Sequence, residues 1–313
     1  MKKGFTLVEL LAVIVILAII ALIAVPIVTN IINNTEKDSE LMSAKMYIDA
    51  VDKTILSYNA SNKLKNATCI VQGNGNLDCE GILVEVYVDN TIPIGGALTI
   101  ENRKVTKVVN LKIENDTYST NNSGDIVLNS TQKLCTLLSE TSKTVGAKYL
   151  CSLDQDRIFY VLGENESDSS KIDLIMNMNY TDDTVPVTMA WCDQNGNNPE
   201  DNTCNHDNLN PLIEHMQEVF GDNVIVSLPT YNEIYSVSNT TKLQSTPWLY
   251  DHLNGTTHST SNAYAYWLIT SSDLHSNGAY VVDRDGNLLL GHVNSTNGSG
   301  LRPIITVSEN DMN

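Results

Sequence analysis

The chain is short of positive charge. Its 313 residues carry 19 Lys and Arg against 37 Asp and Glu, a formal net charge of −18 with a pI near 4.5. Nothing supplies the basic groove or stripe that a nucleic acid needs, which argues against direct nucleic-acid contact by this chain. No Cys-x-x-Cys pair occurs, and no cysteine lies beyond Cys204, which removes the usual zinc framework. Gly-x-Ser-x-Gly and P-loop patterns are missing as well. All six histidines (His206, His215, His252, His258, His275 and His292) fall in the second half, none in a zinc-protease spacing. No matched catalytic set, metal or cofactor is implied, and the expectation is a protein that is not an enzyme.

Charge of either sign is also missing from Leu10 to Thr35. That stretch is almost wholly Leu, Ile, Val and Ala, and it exceeds the ~20 apolar residues that a membrane-spanning helix needs. An ordinary secretory signal keeps a small-residue cleavage site after its apolar core. Here Val25-Pro26-Ile27-Val28 is a poor site of that kind, and the small residue, Gly4, precedes the core. Glu9 is a second oddity. A charge deep in lipid costs about 3 kcal/mol on insertion scales and is kept where it finds a partner.

Lys3-Gly4-Phe5-Thr6-Leu7-Val8-Glu9-Leu10 followed by an apolar helix resembles the class III signal of type IV pilins and pseudopilins. The resemblance covers roughly the first thirty residues. It implies that a prepilin peptidase cuts after Gly4 and that the new N-terminal residue, Phe5, is N-methylated. It also implies assembly with other pilin subunits through a helix that carries Glu9 and Pro26. Elementary electrostatics agrees. Cleavage removes both lysines and creates an amine at Phe5, and Glu9 of a neighbouring subunit would pair with it strongly in a low-dielectric bundle. Pro26 has no N–H for the carbonyl of Leu22, so a kink or local melting is expected there. A plain, uncut anchor would explain neither Glu9 nor Gly4-Phe5. Lys2 and Lys3 put the N-terminus in the cytoplasm. The precursor is then a single-pass membrane protein, and its mature destination is the pilus or cell surface.

Outside the membrane an even cysteine count reads as disulfides. Six cysteines allow 15 pairings, and the simplest is sequential: Cys69–Cys79, Cys135–Cys151 and Cys192–Cys204.

Past Thr35 the helix is expected to continue to about Asn62, since Leu41, Ala44, Ile48, Val51 and Ile55 recur at spacings of three and four. That stripe is a seat for a small antiparallel sheet, with strands expected over 82–88, 94–100 and 105–113. A polar run, 119–125, has the composition of an exposed linker. The expected division is a leader over 1–4, a membrane and assembly helix over 5–35, and a pilin globular domain over 36–122. A linker over 123–130 and a C-terminal surface module over 131–313 complete it. In that module Thr131–Ser139 is expected as a short helix and Arg157–Gly163 and Lys171–Met178 as strands. Asn210–Phe220 is expected as a helix with Pro211 in its first turn and Gly221 ending it.

The order Leu-Pro-Thr, Pro-Trp-Leu, Tyr-Trp-Leu, Asp-Gly-Asn-Leu, Leu-Arg-Pro-Ile-Ile over about 225–308 resembles a surface-protein module of low-GC Gram-positive bacteria. That module is similar to the C-type-lectin-like fold shared with formylglycine-generating-type domains. The resemblance implies an irregular α+β domain built around buried Trp and Tyr and used for binding or adhesion. The cysteines that formylglycine-generating enzymes use near the end of the chain are missing here, so that activity is not carried over. The fold class expected for the whole is therefore α+β, a long N-terminal helix on a sheet followed by this module.

Trp191, Trp248 and Trp267 are candidates either for a sugar-stacking ligand surface or for core packing. Asp283-Arg284-Asp285-Gly286-Asn287 departs from an EF-hand, because glycine falls fourth rather than sixth, and it reads as a hairpin turn. Asp193–Asn202, rich in Asp and Asn, reads as a solvated loop, with weak calcium binding as the alternative. Arg302 is expected buried against a carboxylate. Besides a pilus subunit with an adhesive module, a membrane-tethered extracellular enzyme and a pseudopilin of secretion or DNA uptake stay open.

Overall fold

The computed structural model describes residues 7–57, 64–89, 91–114, 116–121, 123–129, 133–139, 141–192, 208–253, 263–271, 278–292 and 298–312; side chains are not described for 7–27, 30 and 292. The architecture is mostly β, with three α-helices among the described residues and three sheets.

Helix α1 runs unbroken from Leu7 to Ser57. The local melting expected at Pro26 does not occur, as one missing N–H bond leaves the turns on either side intact. In its second half the buried stripe is Ala44, Tyr47, Val51 and Ile55. Tyr47 was not in the expected stripe. Its ring fills the seat, and its hydroxyl donates to the Gly75 carbonyl at 2.8 Å.

The first sheet is larger than expected, with seven antiparallel strands in the order β3-β2-β1-β4-β5-β6-β7. They are β1 Asn66–Val71, β2 Leu77–Cys79, β3 Ile82–Val84, β4 Gly95–Glu101, β5 Lys104–Ile113, β6 Asp116–Thr120 and β7 Ile126–Leu128. The strand expected over 82–88 stops at Val84. The polar run 119–125 ends β6 and turns, and the chain returns as β7 against it.

The C-terminal body, or head, has a six-stranded sheet in the order β12-β17-β11-β10-β9-β8. These strands are β8 Cys135–Leu137, β9 Lys148–Ser152, β10 Asp156–Asn165, β11 Asp168–Met176, β12 Ile225–Ser227 and β17 Ile304–Ser308. The short helix expected over Thr131–Ser139 is thus corrected to strand β8. Cys135 lies directly opposite Cys151 in the ladder and is bonded to it, which draws this segment into the sheet. Helix α2, Asn210–Phe220, carries Pro211 in its first turn and ends at Gly221, as expected, with a φ of +83° at that glycine. Helix α3, Tyr231–Ser238, is opened by a capping box between Thr230 and Glu233. A four-stranded sheet, β13 Ala265–Ser271, β14 Gly278–Asp283, β15 Leu288–His292 and β16 Ser299–Gly300, completes the head. Its β13–β16 pairing is parallel.

Arg302 is fully buried, and its expected carboxylate partner is corrected to four main-chain carbonyls. The guanidinium donates to Met176 O (2.6 Å), Asn177 O (2.8 Å), Trp248 O (2.8 Å) and Leu249 O. It also lies over the Tyr266 ring, 5.3 Å from its centre. A planar fork with five donors suits carbonyls that converge from two loops and the end of β11, whereas a lysine ammonium does not.

Two substitutions test this knot. Arg302→Lys keeps the charge but loses the fork, and Arg302→Met strands four buried acceptors. Each is expected to cost about 3 kcal/mol or more in chemical denaturation. A loss below about 1 kcal/mol for Arg302→Met would show that the carbonyls find other donors.

Candidate functional site

Three regions carry the chemistry that the sequence singles out: the N-terminal helix, the tryptophans of the head, and the seam between the first sheet and the head.

At the N-terminus, Gly4 and Phe5 lie outside the described residues. Glu9 and Pro26 stand on the α1 backbone, with side chains that are not described. Among the described residues no helix is long and apolar enough to cross a membrane, and the apolar side chains of 7–27 fall outside that set. Further along α1, Val28, Ile31 and Ile32 are each more than half exposed. Where α1 meets the sheet, carboxylate oxygens of Glu36, Glu40 and Glu114 lie within 4.8 Å of one another. Burial pushes the Glu40 carboxyl up, and the Tyr118 hydroxyl donates to it at 2.9 Å.

In the head, Trp191 and Trp267 are core residues rather than parts of a ligand surface, 2% and 1% exposed. Each is buried at an indole N–H that has found a carbonyl. Trp191 donates to Leu268 O at 2.9 Å and Trp267 to Met189 O at 2.8 Å, a reciprocal pair that fastens the 189–191 segment to β13. Trp248 is half-buried and stacks on Tyr160, 5.2 Å between ring centres. The three do not form one platform. In the Asp283 turn the carboxylate accepts from the main-chain N–H groups of Asp285 and Asn287 and from the Asn287 carboxamide. These bonds close the hairpin between β14 and β15. The Asp193–Asn202 loop, His206, His258 and His275 lie outside the described residues.

The cysteines staple both bodies. Cys69–Cys79 joins β1 to β2, and Cys135–Cys151 joins β8 to β9, each between residues directly opposite in an antiparallel ladder. Cys192 is also disulfide-bonded, and Cys204 lies outside the described residues.

The seam was not legible in the sequence. The first sheet has α1 on one face. On the other, Ala97 and Val109 join Leu138, Leu150 and Ile158 of the head in one apolar cluster, with Ile70 against it. Polar tethers flank the cluster. Lys107 Nζ donates to the carbonyls of Leu137 (2.9 Å) and Leu138 (3.3 Å), and burial pulls its pKa down. Asn110 Nδ2 donates to Thr136 Oγ1 at 3.0 Å, and Lys148 pairs with Glu80 at 3.4 Å. The Gly96 N–H donates to the Asp156 carboxylate. Glycine is required at this last contact. The backbone has φ +113° there, and a Cβ would sit 2.7 Å from Leu111 Cα. Opposite it Asn110 is buried in a left-handed conformation, at a break in the β4–β5 register. Beside the tethers the seam opens into a cleft of about 460 Å³, lined by both bodies.

Among the described residues of the head, His215 pairs with a carboxylate. His215 Nε2 lies 2.8 Å from Asp182 Oδ2, which also accepts from the Tyr180 hydroxyl at 2.6 Å. Oδ1 accepts from the N–H groups of Thr184 and Val185, both at 2.7 Å. Asp182 is the hub of a turn and fastens α2 to it.

Residues 1–25 match the prokaryotic N-terminal methylation motif. No curated protein and no solved structure matches the chain. The motif indicates a type IV pilin or pseudopilin-like precursor. Such a signal implies a membrane-anchored precursor, processing by prepilin peptidase and assembly with other pilin subunits.

The Asp182 hub gives the head an acid limit. Partial burial pushes its carboxyl up, but the bonds from Tyr180, Val185, His215 and Thr184 outweigh that and hold it well below the ordinary value. The unfolded chain therefore takes up this proton first. The stabilisation is complete above about pH 4 and is lost as pH falls through the folded value. In urea titrations from about pH 6 to pH 2, Asp182→Asn is expected to lower stability at the upper end and to flatten the acid limb. An unchanged acid slope would refute this assignment.

Proposed function

We propose that the chain is a minor or tip subunit of a type IV pilus-like filament and that its head is a binding module for a surface or glycan ligand. The observation that carries this is the joining of a methylation-type signal to a head docked on the outer face of the first sheet. Assembly requires only the helix and something to cap it. A second body with its own sheets and disulfide is more than that requirement, and so large a head would crowd a homopolymer, which favours low stoichiometry. The exposed Val28, Ile31 and Ile32 support packing of α1 against neighbouring subunits. The lectin-like order of motifs over about 225–308 supports a binding role for the head, and we read the protein as structural rather than enzymatic. The His215–Asp182 pair fits a fastening role, since its described contacts secure a turn and hold α2 to it. A pseudopilin of a secretion system is the second reading, favoured by the same N-terminal motif.

In this proposal Gly4 is the cleavage site, Phe5 the methylated terminus and Glu9 the partner of a neighbour's amine. Protein recovered from cells that carry a prepilin peptidase is expected to begin at N-methylated Phe5 by N-terminal sequencing and intact mass. Recovery of a chain that starts at Met1 would overturn it. Glu9→Ala is expected to leave membrane insertion unchanged and to reduce incorporation into filaments by roughly tenfold or more, as loss of a desolvated ion pair would. Normal incorporation would remove the salt bridge from the account. Quantitative immunoblotting of sheared filaments is expected to find far fewer copies of this chain than of the main subunit, and parity would exclude the minor or tip role.

A further inference from the structure

The first sheet ends in a strand that the fold leaves unfinished. Beyond Ile82 burial alternates: Leu83, Glu85, Tyr87 and Asp89 are exposed, Val84 and Val86 are buried, and Val88 is half-buried. That period of two is the mark of a strand over the whole of 82–88. The ladder nevertheless stops at Val84, opposite Leu77, because β2 begins there and the turn at 72–76 precedes it. β3 has β2 on one side and no strand on the other. A strand sends the N–H and C=O of successive residues alternately to its two sides. Val84 pairs with β2, and the Val86 N–H donates to Asn76 Oδ1 at 3.3 Å on that same side. Leu83, Glu85 and Tyr87 therefore present their main-chain groups to the open side, where no turn or loop bond occupies them among the described residues.

The side chains on this edge are apolar and acidic. Leu83 is 64% and Tyr87 81% exposed, large groups that an edge built only to repel neighbours does not keep. No Lys or Arg stands between Lys65 and Arg103, a stretch that holds Asp78, Glu80, Glu85, Asp89 and Glu101. Among the described residues one ion pair reaches it, from Lys148 to Glu80 at 3.4 Å. Glu85 accepts from the Tyr87 hydroxyl at 2.7 Å, and Asp78 from the Gly81 N–H at 2.8 Å. Lys112 faces the cleft at the seam, whose lining includes none of residues 83–89.

We propose that this edge docks an extended segment of another polypeptide, one in which Lys or Arg alternates with apolar residues, and that the segment pairs with β3 as a further strand of the first sheet. Main-chain bonds to 83, 85 and 87 would hold it. One of its faces would set an apolar, a basic and an apolar side chain beside Leu83, Glu85 and Tyr87. A second copy of this chain is disfavoured, because the same edge in two copies sets carboxylates against carboxylates. The acidic edge thus turns away its own kind and admits a basic strand. The surface belongs to the first sheet and is independent of any ligand of the head.

The test uses the full mature chain in detergent. The probes are a short peptide alternating lysine with valine, the same peptide with glutamate for lysine, and the lysine peptide N-methylated throughout its main chain. The lysine peptide is expected to bind in fluorescence anisotropy, more tightly at low salt, and to protect the amides of Leu83, Glu85 and Tyr87 from hydrogen exchange. N-methylation keeps the charge and removes the donors. It is expected to weaken binding roughly tenfold or more, which separates strand pairing from plain attraction to a chain of net charge −18. Glu85→Lys, and Glu85→Pro where an outward N–H is lost from an edge, are each expected to weaken binding roughly tenfold. Glu101→Lys changes the net charge as much as Glu85→Lys does and is expected to leave binding unchanged. Glu85→Lys keeps the test decisive where Glu85→Pro fails to fold. The proposal is overturned if the lysine peptide does not bind, if the glutamate or N-methylated peptide binds as well, or if Glu85→Lys and Glu101→Lys act alike. Self-association in sedimentation that Glu85→Pro abolishes would make the occupant a second copy and overturn it too.

Discussion

The first sheet is apolar on both faces, and each face must be covered. A helix-seated sheet normally turns its other side to water and alternates accordingly. Here β5 has four consecutive buried positions, Val108 to Leu111, because Val108 and Leu111 meet α1 while Val109 meets the head. Covering the outer face with a second sheet removes apolar area from water on a scale that a few surface ion pairs do not match. The head is therefore part of the sheet's packing rather than cargo on a tether. The return of the chain as β7, with the Asn129 N–H donating to the Thr117 carbonyl, binds the connecting segment to the same sheet.

Two glycines and one asparagine make that packing possible. The Gly95-Gly96 step breaks the β4–β5 register and lets Asp156 reach a main-chain N–H. Asn110 takes up the slack in a left-handed conformation and spends its carboxamide on Thr136 and Asn129. The cleft follows from the same irregularity. Where two twisted sheets part company beside a bulge, space is left over, and its polar lining comes from the turns that flank it.

How much of this was legible depended on whether the signal was local. The spacing of Ala44, Val51 and Ile55 declared the seat on α1, and the Pro211…Gly221 punctuation declared α2 nearly to the residue. Thr230-x-x-Glu233 was an equally legible helix start that the order of motifs around it hid. Strands β1 and β2 were missed because a Gly- and Asn-rich turn at 73–76 dominates that segment. Only the disulfide between direct ladder partners shows them as a pair. For the tryptophans the sequence left surface and core both open, since an indole suits either. The carbonyls that decide the matter for Trp191 and Trp267 lie 77 and 78 residues away. Arg302 was placed correctly as buried, but no sequence pattern announces four carbonyls. The seam and its cleft were beyond reach, because Gln72 and Asn177 line one cleft only when two bodies dock.

The cross-strand disulfides have a mechanical meaning in a filament. A subunit held by α1 and pulled at its head carries load through the first sheet, across the seam and into the second. The bonds Cys69–Cys79 and Cys135–Cys151 span 10 and 16 residues of chain, and each turns a hairpin beside that seam into a closed loop. Those loops cannot pay out as slack. Under tension each body keeps its hairpin shut, because the covalent bond and not the ladder closes it, whereas the seam is held by non-covalent contacts alone, among them Lys107 on its carbonyls and Gly96 on Asp156.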